Sequence, residues 1–166
     1  RPDLHEAMGG MTYWMKTLYT LGLGIAGFAL VERLSRPGAK GIVGWILIAL
    51  FAAIMLAIAA SQLMSMPPEE MRAAFMGSSW SKCPWLIVAL SIPGLAVILW
   101  TMRRFAPTRL ALAGAAAGLL AGGLAATVYG LHCQEVAAPF VALWYSLGVI
   151  LSAAVGAIIG PRVLRW

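Results

Sequence analysis

From Ile42 to Met64 the chain runs without a single charged residue, and four further apolar runs of comparable length follow or precede it. Crossing a hydrocarbon core takes roughly 17 to 25 apolar residues as a helix. The runs cover about 11–31, 42–64, 84–102, 110–130 and 139–160. Composition supports the same reading. With 61% hydrophobic and 11% charged residues, the chain is too apolar for a soluble domain, which is nearer half apolar and a quarter charged. The expected fold is an all-α polytopic membrane bundle, with 1–166 forming one domain of five transmembrane helices. Pro84 and Pro139 suit first helical turns, where a missing N–H is harmless. Pro93-Gly94 is expected to kink the third span.

Orientation follows from the loops. Arg33, Arg36, Lys40, Arg103, Arg104, Arg109, Arg162 and Arg165 fall on one face if the spans alternate. The other face receives Arg1, Arg72 and Lys82 beside Asp3, Glu6, Glu69, Glu70 and Glu135. The arginine-rich face is therefore expected in the cytoplasm. The net charge of +6 is spread over span ends rather than gathered in one block, so it reads as membrane orientation and contact with anionic lipid, with no direct nucleic-acid partner. This topology places Arg1 outside. Because the chain opens on Arg1-Pro2-Asp3-Leu4 rather than on Met, a sixth, N-terminal span is expected ahead of it.

Both cysteines, Cys83 and Cys133, sit at rims on the acidic face, in Ser-Lys-Cys83-Pro-Trp and Leu-His132-Cys133-Gln-Glu135. Three roles stay open for them. They can serve as small apolar fillers. In an oxidising compartment they can form a disulfide or redox switch. Together with His132 and Glu135 they can bind a soft metal transiently, although the spacing lacks the close cysteine pairs of strong zinc motifs. No resident cofactor is expected. Lys16 is the one charge well inside a span, and snorkelling of its stem to the headgroups is the expected account. Small-residue stripes at Gly114, Gly118, Gly122 and at Gly148, Ser152, Gly156, Gly160 read as intrachain helix packing, with a homodimer face as the alternative. Trp14, Trp45, Trp85, Trp100 and Trp166 read as interfacial anchors.

There is no nucleophile beside a base, no phosphate-cradling loop and no His-Glu-x-x-His, so enzymatic activity is not expected. A small transporter or metal-efflux component, or a structural subunit of a membrane complex, are the alternatives to signalling. A transporter places polar ligands near mid-membrane, and here they lie at the rim.

Several segments carry a family likeness. Arg1-Pro2-Asp3-Leu4, Tyr13-Trp14-x-Lys16 and Arg36-Pro37-Gly38 resemble the NrsF family of bacterial membrane anti-sigma factors. So do Leu131-His132-Cys133-Gln134-Glu135, Ala138-Pro139-Phe140, Trp144-Tyr145-x-Leu147-Gly148 and Gly160-Pro161-Arg162-x-Leu164-Arg165-Trp166. The resemblance implies six spans and a multi-pass protein of the inner membrane. It implies that an ECF-type sigma factor is held at the cytoplasmic face and released under stress, with Cys83 and Cys133 as outward-facing sensing residues. The family usually has Pro where this chain has Gln134. Arg103, Arg104 and Arg109 are the candidate docking residues for an acidic partner.

Overall fold

A computed structural model describes residues 4–36, 38–105 and 107–165. Arg1, Pro2, Asp3, Pro37 and Trp166, which enter the motifs and anchors above, lie outside the described residues. Among the described residues every regular element is helical. A short turn, α1 (Leu4–Ala7), precedes α2 (Met11–Leu34), α3 (Ile42–Met64), α4 (Pro68–Met76), α5 (Cys83–Met102), α6 (Leu110–His132) and α7 (Ala138–Val163). Of these, α2, α3, α5, α6 and α7 are long and apolar enough to cross a membrane. Pro84 and Pro139 occupy the first turns of α5 and α7, as the sequence predicts, and α5 runs on through Pro93.

The bundle is organised around α6, whose buried face is almost wholly alanine and glycine. Lipid tails are as apolar as leucine, so close backbone approach rather than water exclusion must hold such helices together. The stripes supply that approach within the chain. A Cβ at Gly114 would strike the backbone of Gly156 and Gly160, and one at Gly118 would lie 2.7 Å from the Ala153 Cα. On its other side α6 meets α2, where a Cβ on Gly27 would lie 2.6 Å from the Leu120 nitrogen. Gly148 instead receives Ile87 of α5. Buried and half-buried hydroxyls also tie the helices: Ser91 donates to Ser152 at 3.0 Å, Thr127 to Thr20 at 2.9 Å, and Tyr19 and Ser146 share a 2.7 Å bond. The outer faces carry Leu18, Ile25, Phe28, Ile46, Leu50, Val97 and Ile150, exposed as lipid contact requires. Trp14, Trp45, Trp85 and Trp100 are exposed near helix ends, as anchors should be.

Successive spans alternate in direction, so the bundle has two unlike ends. Leu34, Met102, Ala113 and Leu164 share one core cluster, which brings the end of α2, the end of α5, the start of α6 and the end of α7 together. The eight basic residues at span ends surround this end. At the other end the starts of α2, α5 and α7 meet the ends of α3 and α6. There the Ala138 N–H donates to Gln62 Oε1 at 2.8 Å. The α7 helix opens into a π-helical segment at Val141–Tyr145, with Val141 and Tyr145 fully buried.

Candidate functional site

The two cysteines come from elements fifty residues apart and meet in one buried cluster at this second end, with Tyr129, Phe140, Val141 and Tyr145. Cys83 is the first residue of α5 and 0% exposed; Cys133 directly follows α6 and is 5% exposed. No disulfide joins them. Ser79 bridges the pair: its carbonyl accepts the Cys83 N–H at 2.9 Å, and its hydroxyl lies 3.7 Å from the Cys133 Sγ. The Tyr129 hydroxyl is a neighbour of Cys83, Cys133 and Ser79. The Tyr129 and Tyr145 rings are 5.8 Å apart, and Phe140 stands edge-on to Tyr145 at 6.4 Å. The Tyr145 hydroxyl is buried without a hydrogen-bond partner among the described residues. π-helical segments recur at functional sites, and this one turns Tyr145 toward the thiols.

A strap covers the pocket. It consists of α4 and the loop from Gly77 to Lys82. Glu135 Oε1 accepts both the Ser78 N–H and its hydroxyl, each at 2.7 Å. Trp144 Nε1 donates to the Phe75 carbonyl at 2.8 Å, and its ring packs on Trp80 at 5.4 Å. Gly77 makes the crossing with φ +54°, where a side chain is strained and a Cβ would fall 2.8 Å from the Glu135 carboxylate.

Of the four residues read as a metal set, the structure gathers Cys83 and Cys133. His132, the last residue of α6, is exposed, and the Glu135 carboxylate is engaged by Ser78. Among the described residues no three His, Cys, Asp or Glu side chains converge on one point. Arg103, Arg104 and Arg109 lie at the opposite end. The Arg104 guanidinium stacks over Trp100 at 5.4 Å, and Arg109 shares a small polar cleft with Arg36 and Lys40.

Lys16 is placed differently from the sequence expectation. It does not snorkel to solvent but is 0% exposed. Its Nζ donates to the carbonyls of Cys133 at 2.9 Å and Glu135 at 3.0 Å, and lies 5.7 Å from the Tyr145 ring centroid. The loop after α6 folds back over the start of α2, so the amine finds acceptors inside the protein before it could reach the headgroups. Sequence reasoning also passed over Ser78, Ser79 and Tyr129. Beside the cysteine segments themselves, the sequence signals that reach this site are Tyr13-Trp14-x-Lys16 and Trp144-Tyr145.

Fold and site together define a polytopic membrane bundle with a buried two-thiol pocket at one end and an arginine-rich surface at the other. The profile of the NrsF family, described as negative regulator of sigma F, matches residues 1–166. The anti-sigma-F factor NrsF of Caulobacter vibrioides is 45% identical over 167 residues, covering 100% of this chain and 78% of the relative. The probable anti-sigma-F factor NrsF of Azospira oryzae is 46% identical over 168 residues, with the same coverage. No solved structure matches the chain. The chain belongs to the NrsF family, whose role is regulatory rather than catalytic.

Proposed function

We propose that this chain is an anti-sigma factor of the inner membrane. It holds an ECF-type sigma factor at its arginine-rich, cytoplasmic end and releases it when Cys83 and Cys133, at the outer end, meet an oxidant or a soft metal ion. Family membership and the relatives' names support the anti-sigma role. Orientation rests on the positive-inside rule. The observation that carries the sensor reading is the convergence of two thiols from distant elements in one pocket, opposite the arginine-rich end.

Thiols can act here in two ways. A two-electron oxidant of the diazene class takes the electrons and both thiol protons, joins the two sulfurs, and leaves as the hydrazine. A soft cation such as Cd2+ displaces both protons and is shared by the two thiolates. Either product pulls the start of α5 and the end of α6 together. At the other end Arg103, Arg104 and Arg109 offer an acidic partner a basic surface.

The test is a reporter driven by the sigma-dependent promoter. Cys83→Ser and Cys133→Ser nearly preserve volume but cannot form the disulfide and are poor soft-metal ligands. Each is expected to keep resting repression and to lose induction by diamide and by cadmium. Normal induction in both single variants rejects the thiol mechanism. Recovery of the sigma factor with the membrane protein tests the partner separately.

A further inference from the structure

Lys16 has the properties of a working part that the thiol chemistry alone does not explain. An ionisable side chain is expensive to bury unless its donors are met. Lys16 meets that need through two backbone carbonyls, those of Cys133 and Glu135, 117 and 119 residues away in sequence. The residue that carries one of the two sulfurs thus also carries one of the oxygens gripped by Lys16. We infer that Lys16 is a positioning residue through which a change at the thiol pocket is passed to α2. The inference rests on the thiol-sensor reading above.

The geometry supports the path in both directions from Lys16. Toward the pocket, the amine lies against the Tyr145 ring, and the helix end at Gly130 passes close to its stem, where an added Cβ would lie 3.5 Å from Cε. Toward the far end, α2 continues from Lys16 to Glu32 and Arg33 and leads into Arg36, which pairs with Glu32 at 3.4 Å. Along the way α2 is locked to α6: a Cβ on Gly123 would lie 2.5 Å from the Gly24 nitrogen. A disulfide needs Cβ atoms about 3.5–4.5 Å apart in a restricted dihedral geometry, and the resting structure has no such bond. On this inference, making one, or sharing a metal ion, draws the Cys133 carbonyl away from Nζ, which holds it at 2.9 Å at rest. The first turns of α2 then lose their tie to the loop.

The test uses the full-length protein in membranes with its sigma factor, a promoter reporter, and a mass-tagging maleimide that reads thiol consumption after diamide. In Lys16→Met the thiols are expected to be consumed as in the unaltered protein while induction falls by about tenfold, the scale of a typical coupling free energy. Unaltered induction in Lys16→Met overturns the inference. Loss of thiol consumption in that variant also overturns it, because Lys16 would then act on the sulfurs rather than after them. Where Lys16→Met fails to accumulate, hydrogen exchange of the unaltered protein decides: amides of Met11–Thr20 should exchange faster after diamide, and unchanged protection overturns the inference. Induction of the unaltered protein with both thiols intact is the distinct outcome that removes the sensor reading itself, and this proposal with it.

Discussion

Gly77→Ala should open the thiol pocket without touching either sulfur. Gly77 sits at φ +54° and ψ −162°, a backbone region essentially restricted to glycine, where another residue is strained by about 1–3 kcal/mol. The new Cβ would also fall 2.8 Å from both the Glu135 carboxylate and the Phe140 ring. Glu135 must then leave the two Ser78 donors it holds at 2.7 Å. These bonds are exposed, so their loss adds only about 1 kcal/mol. A total of about 2–4 kcal/mol against the closed strap corresponds to a roughly 30- to 700-fold larger open population. Cys133 is 5% exposed, so a maleimide reaches it through that opening. When closing is fast relative to reaction, the labelling rate follows the open population. Measured on Cys133 in a Cys83→Ser background, labelling of Gly77→Ala should rise by this factor until it meets the rate of an unhindered thiol. Equal labelling rates with and without the substitution would refute the strap as the barrier to the thiols.

Gly118→Leu drives a side chain into the backbone of α7 at Ser152 and Ala153, and should cost about 3 kcal/mol or prevent insertion; an unchanged denaturation midpoint would show that the α6–α7 seam is looser than described. Ser91→Ala removes one interhelical bond and should cost only about 0.6 kcal/mol. A loss several times larger by the same denaturation assay would mean that hydroxyl bonds, not close packing, hold α5 to α7. Replacing Arg103 and Arg104 together by Gln should weaken recovery of the sigma factor in a pull-down, with orientation checked by external labelling of Glu70→Cys. Full recovery with unchanged orientation would exclude this loop as the docking surface.

Five spans were legible because an uncharged run of this length has one physical outlet, a helix in lipid. Their ends were legible only to within a few residues. The sequence expectation ends the first span near Val31, yet α2 runs to Leu34, because helical hydrogen bonding continues past Glu32 and Arg33, charged residues that an apolar run leaves out. Composition reports hydrocarbon thickness, not helix length. The strap helix α4 had its own signal, Pro67-Pro68-Glu69-Glu70, with proline and acidic residues in a first turn. A nine-residue polar helix has no apolar run of span length, so hydropathy alone does not reveal it. The π-helical segment left no periodic trace. The position of Lys16 in a span was readable, but its acceptors were not, since both lie across the bundle on a loop whose path only tertiary structure fixes. The glycine stripes named the surfaces that pack closely, while the pairing of Gly118 with Ser152, and of Gly27 with Leu120, required the fold.

The proposed thiol sensor at one end of a bilayer must move something at the other, about 30 Å away. The helices are not equally suited to this. With 23 residues and little buried beyond Gly44, Met55 and Ala59, α3 lies at the edge of the bundle, packed on α2 at Gly44 and tied to α7 through Gln62. By contrast, α6 carries Cys133 at its end and is pressed by backbone contact against α2 and α7 along its length. It can therefore rotate or slide only with them. The 24 residues of α2 reach about 36 Å at 1.5 Å per residue, enough to run from the Lys16 end to the arginine-rich end. Close glycine contacts make α2 and α6 a stiff pair, because packed backbones have few intermediate positions. A displacement of Cys133 is therefore better transmitted by this pair than absorbed by it, and the arginines that follow α2 and precede α6 are where it would be felt.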